Sequence, residues 1–199
     1  MDRQARADAV AVILLAAGGS RRLGHPKQLL PFKGRTLLRH AAEIVASIPA
    51  RTRIVVLGHE AQKMQEELRG LPLQVVLNPS WTEGASTSIG AAVRALPGSV
   101  DAALFLLCDQ PMISTALVTK IVETWTASRT PIVACAYGGT AGAPALFARS
   151  LFGELLALTG DVGAKHIIAA HTQQASLIPF PEGTIDIDTQ QDYDTSNHF

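Results

Sequence analysis

The chain contains 199 residues, of which 17 are Lys or Arg and 17 are Asp or Glu, so its formal net charge at pH 7 is zero. A protein that binds nucleic acid through its phosphates needs a surplus of basic residues, so this balance argues against DNA, RNA and anionic membranes as partners. Hydrophobic residues make up 47% of the chain and charged residues only 17%. This composition excludes a disordered protein and predicts one domain over residues 1–199, with tails at Met1–Asp8 and Ser196–Phe199.

The two cysteines, Cys108 and Cys135, are too few for a disulfide framework and indicate a reducing compartment. The apolar run Ala9–Ala17 follows two arginines, as in a secretory signal, but acidic residues also precede it and a buried strand explains the same run. No apolar stretch reaches the ~20 residues that span a bilayer. We therefore expect a cytoplasmic protein.

Short runs of Val, Ile and Leu alternate along the chain with longer amphipathic segments. The short runs are apolar throughout, which is typical of parallel strands covered on both faces. Strands are predicted at Ala11–Ala16, Arg53–Gly58, Gln74–Leu77, Ala102–Cys108, Ile132–Tyr137 and Ser176–Pro179, with Pro144–Phe147 as a possible antiparallel addition. Helices are predicted at Leu37–Ser47, Glu60–Leu68, Ser86–Ala95, Thr115–Ser128, Leu151–Leu158 and Gly163–His171. The alternation predicts an α/β fold, a Rossmann-like three-layer αβα sandwich with a mostly parallel sheet.

Glycines and cations follow the first predicted strand, where ligands of open α/β sheets bind. The loop reads Ala17-Gly18-Gly19-Ser20-Arg21-Arg22-Leu23-Gly24 and continues into His25-Pro26-Lys27. Glycines let backbone N–H groups approach an anion, and adjacent cations neutralise it. The loop has neither the Gly-Lys-Ser/Thr of a Walker P-loop nor the spacing of GxGxxG. Composition alone therefore leaves both a phosphate site and a mobile surface turn open.

Acids that could bind a metal lie at two further places. Asp109 follows the apolar run Ala102–Cys108 at the carboxyl edge of a predicted strand, and Asp186 and Asp188 alternate within Ile185–Thr189, so they share one face. Mg²⁺ commonly takes one or two carboxylates together with substrate phosphate oxygens. The residues alone also allow a helix N-cap at the first place and a solvated strand face at the second.

Three motifs point to one family. The segment Leu15–Pro31 resembles the signature LAAGxSxRMGxxKxLLP of nucleotidyltransferases with the glycosyltransferase-A-like fold, with Leu23 in place of the usual Met. Cys108-Asp109-Gln110-Pro111 resembles the CDQP motif of the molybdenum cofactor cytidylyltransferase-like branch, and Asp186-Ile187-Asp188-Thr189 resembles its D-x-DT segment. The resemblance implies the fold of nucleotide-diphospho-sugar transferases.

Three further segments extend this resemblance to about Val12–Asp192. Asn78–Ile89 resembles the NPxWxxGxxxSL segment, which lies by the nucleotide in the family. Gly142-Ala143-Pro144 resembles the acceptor-side GHP motif with Ala143 in place of His, and Gly160–Lys165 resembles GDxGAR with Lys165 in place of Arg. The segments on the nucleotide side match the motifs of the family more closely than the segments on the acceptor side.

The resemblance implies an enzyme dependent on Mg²⁺, or on Mn²⁺, that transfers CMP from CTP to the terminal phosphate of molybdopterin cofactor and releases pyrophosphate. It implies Arg22, Lys27 and Asp109 as catalytic residues, and Asp109 and Asp188 as metal ligands. The implied nucleotide-binding residues are Leu15, Ala16, Ala17, Gly18, Gly19, Arg22, Lys27, Asn78, Gly84, Ser88 and Asp109. The implied acceptor-binding residues are Gly142, Pro144, Asp161 and Lys165.

Several alternatives remain open. Leu15-Ala16-Ala17-Gly18 favours cytidine, because guanylyl relatives typically read LAGG there, yet a molybdopterin guanylyltransferase that uses GTP is a competing prediction. The missing histidine of GHP keeps open a small nucleotidyltransferase that acts on a sugar or alditol phosphate. A non-catalytic protein that binds nucleotide or escorts a cofactor is the third alternative. The expected partners are CTP, a phosphorylated small-molecule acceptor and a client molybdenum hydroxylase or its chaperone.

Overall fold

The computed structural model of this chain describes residues 9–196. The predicted tails lie outside the described residues, except that Ser196 is the last residue of the C-terminal helix. None of the helices within residues 9–196 is both long enough and apolar enough to cross a membrane.

Seven strands form one mixed sheet. Two short strands form a separate antiparallel hairpin. In chain order the strands are β1 Val10–Ala16, β2 Pro31–Phe32, β3 Arg35–Thr36, β4 Thr52–Leu57, β5 Gln74–Leu77, β6 Ala102–Leu107, β7 Ile132–Tyr137, β8 Thr140–Ala148 and β9 Ala175–Pro179. The large sheet has the order β5-β4-β1-β6-β8-β7-β9, and β8 alone among these seven strands runs antiparallel to its neighbours. The predicted mostly parallel sheet is therefore confirmed.

Helices cover both faces of this sheet. They are α1 Leu37–Ser47, α2 Ala61–Glu67, α3 Ala85–Arg94, α4 Thr115–Ser128, α5 Phe152–Ala157, α6 Lys165–Ala170 and α7 Gln190–Ser196. Buried side chains of α1, α2 and α4 pack on one face, and those of α3, α5 and α6 pack on the other. The predicted three-layer αβα sandwich is confirmed.

The central strand β1 explains why the predicted strands are apolar throughout. Val10, Val12 and Leu14 pack against the first group of helices, whereas Ala11 and Ile13 pack against the second. All five side chains are fully buried. Successive side chains of a strand point to opposite faces, so a strand covered on both faces has no polar positions.

The extra strand predicted at Pro144–Phe147 is antiparallel, as expected, but it is longer than predicted. It extends over Thr140–Ala148 because it forms a hairpin with β7. Gly138 and Gly139 connect the two strands with φ angles of 55° and 74°. A two-residue hairpin turn requires this left-handed region, in which glycine has no steric penalty.

The strand interpretation of Ile185–Thr189 is wrong in one respect. The segment belongs to no sheet in the described part of the chain. It is held instead by Ile187, whose N–H donates to the backbone carbonyl of Asp109 at 2.9 Å and whose side chain is fully buried. Asp186 and Asp188 flank Ile187 in the chain. The side chains therefore alternate as predicted, although the segment is not part of a sheet.

Candidate functional site

A cleft of about 380 Å³ opens at the carboxyl edge of the parallel strands, between the loops that follow β1 and β6. The cleft therefore lies at the edge of the sheet where ligands of open α/β folds bind. Of the predicted catalytic, nucleotide-binding and metal residues, those that line the cleft are Leu15, Ala16, Ala17, Gly18, Gly19, Arg22, Lys27, Gly84, Ser88, Asp109 and Asp188.

Four charged side chains meet at the mouth of this cleft. The Nζ of Lys27 lies 2.6 Å from Oδ2 of Asp109 and 2.8 Å from Oδ1 of Asp188. The Nη2 of Arg22 lies 2.6 Å from the other carboxylate oxygen of Asp188. The structure therefore brings together residues that lie as far as 166 positions apart in the sequence.

The pKa values of these groups reflect competition between burial and charge. Burial alone would lower the pKa of Lys27, but the charges and hydrogen bonds of Asp109 and Asp188 outweigh it and raise that pKa. Burial alone would raise the pKa of Asp188, but Lys27 and Arg22 outweigh it and hold that pKa below its usual value. Lys27 and Asp188 are therefore both in their charged forms at neutral pH.

The two carboxylates have the donor chemistry of a Mg²⁺ site. The Oδ1 atom of Asp109 is buried and has no hydrogen-bond partner among the described residues, so it is free to bind a cation. Asp188 lines the cleft and Asp186 does not, which favours Asp188 as the second ligand. Across residues 9–196 no three His, Cys, Asp or Glu side chains form a metal-binding group. A two-carboxylate site fits Mg²⁺, which usually completes its coordination with water and substrate phosphates.

A capping box that was not predicted holds Asp188 in place. Asp192 accepts hydrogen bonds from the backbone N–H of Asp188 and from the N–H and hydroxyl of Thr189. The hydroxyl of Thr189 in turn accepts from the N–H of Asp192 at 3.3 Å. Thr189-x-x-Asp192 is the sequence signal of a helix N-terminus, and it could have predicted α7.

The loop before α3 forms the opposite wall of the cleft. Gly84 has a φ of 116°, and a Cβ atom added there would clash with the carbonyl group of Gly160. Ser86 donates from both its N–H and its hydroxyl to this carbonyl, at 3.2 and 2.7 Å. Asn78, which was predicted to bind the nucleotide, does not line the cleft. Its buried amide donates instead to the hydroxyl of Ser88 at 2.9 Å, so it supports the wall from behind.

The predicted acceptor-binding residues do not share one cavity. Asp161 lines the first cleft, whereas Lys165 lines a second cleft of about 720 Å³ between the β7–β8 hairpin and α6. Pro144 is buried in β8 and lines neither of these two clefts. Gly142 lies beneath Lys165, because a Cβ atom added to it would be 3.1 Å from Cε of Lys165.

Tyr137 lies between the two clefts and was not predicted. Its hydroxyl covers Gly142, since an added Cβ atom would be 2.5 Å from Oη, and it also lines the second cleft. Burial raises the pKa of Tyr137, although a hydrogen bond with Gln110 opposes the change. Gln110 directly follows Asp109 in the chain. Tyr137 therefore lines the second cleft close to the residue that follows Asp109.

Neither thiol can act as a nucleophile at neutral pH. Burial raises the pKa of Cys135 to about 12. Burial and the charge of Asp109 raise the pKa of Cys108 well above its usual range, although this residue borders the cleft. Because the thiolate is the reactive form, both cysteines are inert packing residues, as predicted for Cys108.

Comparison with known families gives one match over most of the chain. The profile described as "MobA-like NTP transferase domain" matches residues 12–175. This range includes the Gly-rich loop, Lys27 and Asp109.

Several curated proteins are similar to the chain. Molybdenum cofactor cytidylyltransferase of Escherichia coli is 23% identical over 189 residues, which cover 94% of this chain and 95% of that protein. Purine catabolism protein PucB of Bacillus subtilis is 27% identical over 200 residues, covering 92% and 93%. Nicotine blue oxidoreductase of Paenarthrobacter nicotinovorans is 36% identical over 114 residues, covering 57% and 55%. The chain thus spans about half the length of the last relative, and 23% of two bifunctional proteins that it also matches.

Solved structures share the whole fold. The crystal structure of Rv0371c from Mycobacterium tuberculosis superposes with a TM-score of 0.83 at 28% identity, covering 97% of this chain and all of that one. A structure of Rv0371c in complex with manganese superposes with a TM-score of 0.76 at 27% identity, covering 95% and 98%. Proteins of about the same length therefore share the fold of this chain.

Proposed function

The chain belongs to the family of MobA-like NTP transferase domains, which are nucleotidyltransferases, and we propose that it transfers CMP from CTP to the terminal phosphate of molybdopterin cofactor and releases pyrophosphate. The observation that carries this proposal is the pairing of Lys27 with both Asp109 and Asp188 at the Gly-rich loop. One position thus offers a cation for phosphate and two carboxylates for a metal. A protein that only bound nucleotide would not need both acids.

The reaction needs little acid–base chemistry from the protein. A phosphate monoester has a second pKa of ~6, so the acceptor phosphate is largely a dianion at neutral pH and can attack the α-phosphorus without a general base. Catalysis then consists of positioning two anions in line and offsetting their charge. Mg²⁺ held by Asp109 and Asp188 would supply part of that charge and polarise phosphate oxygens.

Arg22 and Lys27 supply the positive charge of the protein itself. Both are paired with carboxylates in the structure, at 2.6 to 2.8 Å, and both line the cleft. Phosphate oxygens compete with these carboxylates for the same cations. We propose that the two side chains bind the triphosphate and stabilise the charge of the departing pyrophosphate.

The acceptor would bind toward the second cleft. Its lining contains Lys165, His166 and Tyr137 but no Asp or Glu, which suits an anionic ligand. Tyr137 lies between this cleft and the side chain of Gln110, next to Asp109. An acceptor seated there would present its phosphate to the carboxylate end of the first cleft, and Asp161 would contact it from the nucleotide side.

The proposal also names the base of the nucleotide, the acceptor and the client protein that receives the product. Ala16-Ala17-Gly18 favours cytidine, and the molybdenum cofactor cytidylyltransferase of Escherichia coli is similar over nearly its whole length. A client molybdenum hydroxylase or its chaperone would receive the product. Ala143, which replaces the histidine of GHP, is the observation that favours the second candidate, a nucleotidyltransferase of sugar or alditol phosphates.

A pyrophosphate-release assay separates these candidates. The protein would be incubated with Mg²⁺ and either CTP or GTP, in the presence of molybdenum cofactor or of a panel of sugar and alditol phosphates. We expect release only with CTP and molybdenum cofactor together. Release with CTP and a sugar phosphate alone would replace the acceptor, and release with GTP would replace the base. No release with any pair would contradict the proposed function.

A further inference from the structure

Gln28 contacts the backbone at the start of the Gly-rich loop. Its side chain is buried, with 2% of its surface exposed. Its amide Nε2 donates to the carbonyl oxygen of Ala16 at 3.0 Å and to that of Gly18 at 2.7 Å. Its Oε1 accepts from the hydroxyl of Ser20 at 3.4 Å, and this hydroxyl accepts from the N–H of Lys27 at 3.0 Å.

The remaining carbonyl oxygen of Ala16–Gly18, that of Ala17, also accepts a hydrogen bond. The oxygen of Ala17 accepts from the N–H of His59 at 3.0 Å. By contrast, the N–H groups of Gly18 and Gly19 donate to no partner among residues 9–196, and both glycines line the cleft. Within Ala16–Gly18 the carbonyl acceptors are therefore paired internally, whereas the N–H donors of Gly18 and Gly19 have no partner among the described residues.

This one-sided polarity discriminates between bases. The Watson–Crick edge of cytosine offers two neighbouring acceptors, O2 and N3, which N–H groups can bind. That of guanine offers two neighbouring donors, N1–H and the N2 amino group, which need carbonyl acceptors, and a single acceptor, O6. Cytosine has a single donor, the N4 amino group, so only cytosine can pair two neighbouring N–H groups along this edge. A site that leaves a ligand's polar groups unpaired rejects that ligand more strongly than a site that only lacks space.

We infer that Gln28 is a specificity-determining positioning residue, which favours cytosine over guanine by holding the carbonyls of Ala16 and Gly18 away from the base. The inference rests on the proposed function, because it requires that the base of a nucleoside triphosphate lies against this loop. Gln28 itself need not touch the nucleotide. It acts through the backbone of the loop.

Replacing Gln28 by Met tests the inference, because Met has a similar length but cannot donate to either carbonyl. The two peptide units are then free to turn their oxygens toward the cleft. Binding of CTP and of GTP would be measured by calorimetry with Mg²⁺, for the wild type and for Gln28→Met. We expect the preference for CTP over GTP to fall about tenfold, as follows from hydrogen bonds that each change an affinity severalfold.

A structural role alone would weaken both nucleotides equally, so an unchanged ratio of the two dissociation constants overturns the inference. Gln62→Met, an exposed glutamine of α2, is the matched control and should leave both constants unchanged. If Gln28→Met does not fold, Ser20→Ala replaces it. Loss of that hydroxyl frees Oε1 of Gln28 and should lower the preference about threefold, and an unchanged ratio again overturns the inference.

The failure of the proposed function gives a different result. In that case the wild type binds neither nucleotide in the presence of Mg²⁺, and no ratio exists to compare. Wild-type binding with a clear preference for CTP, together with an unchanged preference in Gln28→Met, leaves the proposed function standing and removes only the role of Gln28.

Discussion

The single ammonium group of Lys27 pairs with two carboxylates, those of Asp109 and Asp188, and only 15% of the Lys27 side chain is exposed. The same charge that suits a triphosphate therefore repels any metal ion that approaches Asp109 and Asp188. Lys27→Met should change two affinities in opposite directions. Binding of Mn²⁺ without nucleotide, followed by electron paramagnetic resonance, should become about tenfold tighter, and CTP binding by calorimetry should become at least tenfold weaker.

The opposite signs exclude a general disturbance of the fold. Lys63→Met is the control, because Lys63 pairs with Glu60 at the surface of α2 and away from the cleft. It should leave both affinities unchanged. Parallel losses of Mn²⁺ and CTP binding in Lys27→Met would contradict the competition between the ammonium group and the metal.

Asp109 combines a paired oxygen with an unpaired one, since Oδ2 contacts Lys27 and Oδ1 is buried without a partner among the described residues. Asp109→Asn keeps the shape of the side chain but removes its charge. We expect pyrophosphate release to fall about a thousandfold, because charge stabilisation at the reacting phosphate is the largest contribution of such a site. The free energy of unfolding should change by no more than about 1 kcal/mol, since the ion pair is partly exposed. Asp101→Asn, at an exposed position before β6, should affect neither quantity.

At the scale of elements, the loop that contains Gly84 and the loop that contains Gly160 meet at a contact that only glycine permits. A side chain at Gly84 would meet the backbone of Gly160, and its φ of 116° is unfavourable for any other residue. Gly84→Ala should therefore lower the free energy of unfolding by roughly 2–4 kcal/mol, as measured by chemical denaturation. Gly98→Ala is the control, because an added Cβ atom there has no neighbour within 4 Å and the φ angle is not left-handed. Equal effects of the two substitutions would contradict the role of this contact.

The elements differ in how much of them the sequence could predict. The buried strands were predicted to within about one residue because both faces are covered, so every position is apolar, as in β1. The hairpin of β2 and β3 has two residues per strand and no pattern at all. Helix α7 has only Tyr193 as a large apolar residue, so its capping box was the only available signal.

The residues of the candidate site also differ in how well the sequence could predict them. Lys27, Asp109 and Asp188 were predicted because their motifs are specific in sequence. Gln28 and Tyr137 were not predicted as site residues, because Gln28 donates to backbone carbonyls and Tyr137 contacts Gly142 and Gln110, and no local sequence pattern identifies such contacts. Asn78 was predicted to bind the nucleotide but lies behind the wall of the cleft, because a sequence cannot distinguish a residue that contacts a ligand from one that supports such a residue.

For the molecule as a whole, the cleft exists only when the fold is complete. The parallel order of β1 and β6 brings their carboxyl ends together, so that the Gly-rich loop faces Asp109. Asp188 reaches the same place from the other end of the chain, where Ile187 anchors it to the backbone of Asp109. The net charge of the chain is zero although positive and negative side chains are concentrated at this cleft. Unfolding of any part of this arrangement removes the site.

Because the complete cleft is absent from the unfolded chain, a ligand of this cleft should raise the temperature of unfolding. A ligand at 100 times its dissociation constant stabilises a protein by about 2.7 kcal/mol, which for a domain of this size corresponds to roughly 5–10 °C. We expect differential scanning calorimetry to show this increase with CTP and Mg²⁺ together, and a smaller one with GTP and Mg²⁺. In the Asp109→Asn variant, CTP and Mg²⁺ should no longer raise the temperature of unfolding. Without ligand, the variant should unfold at the same temperature as the wild type. An equal increase in that variant would place the nucleotide outside this cleft.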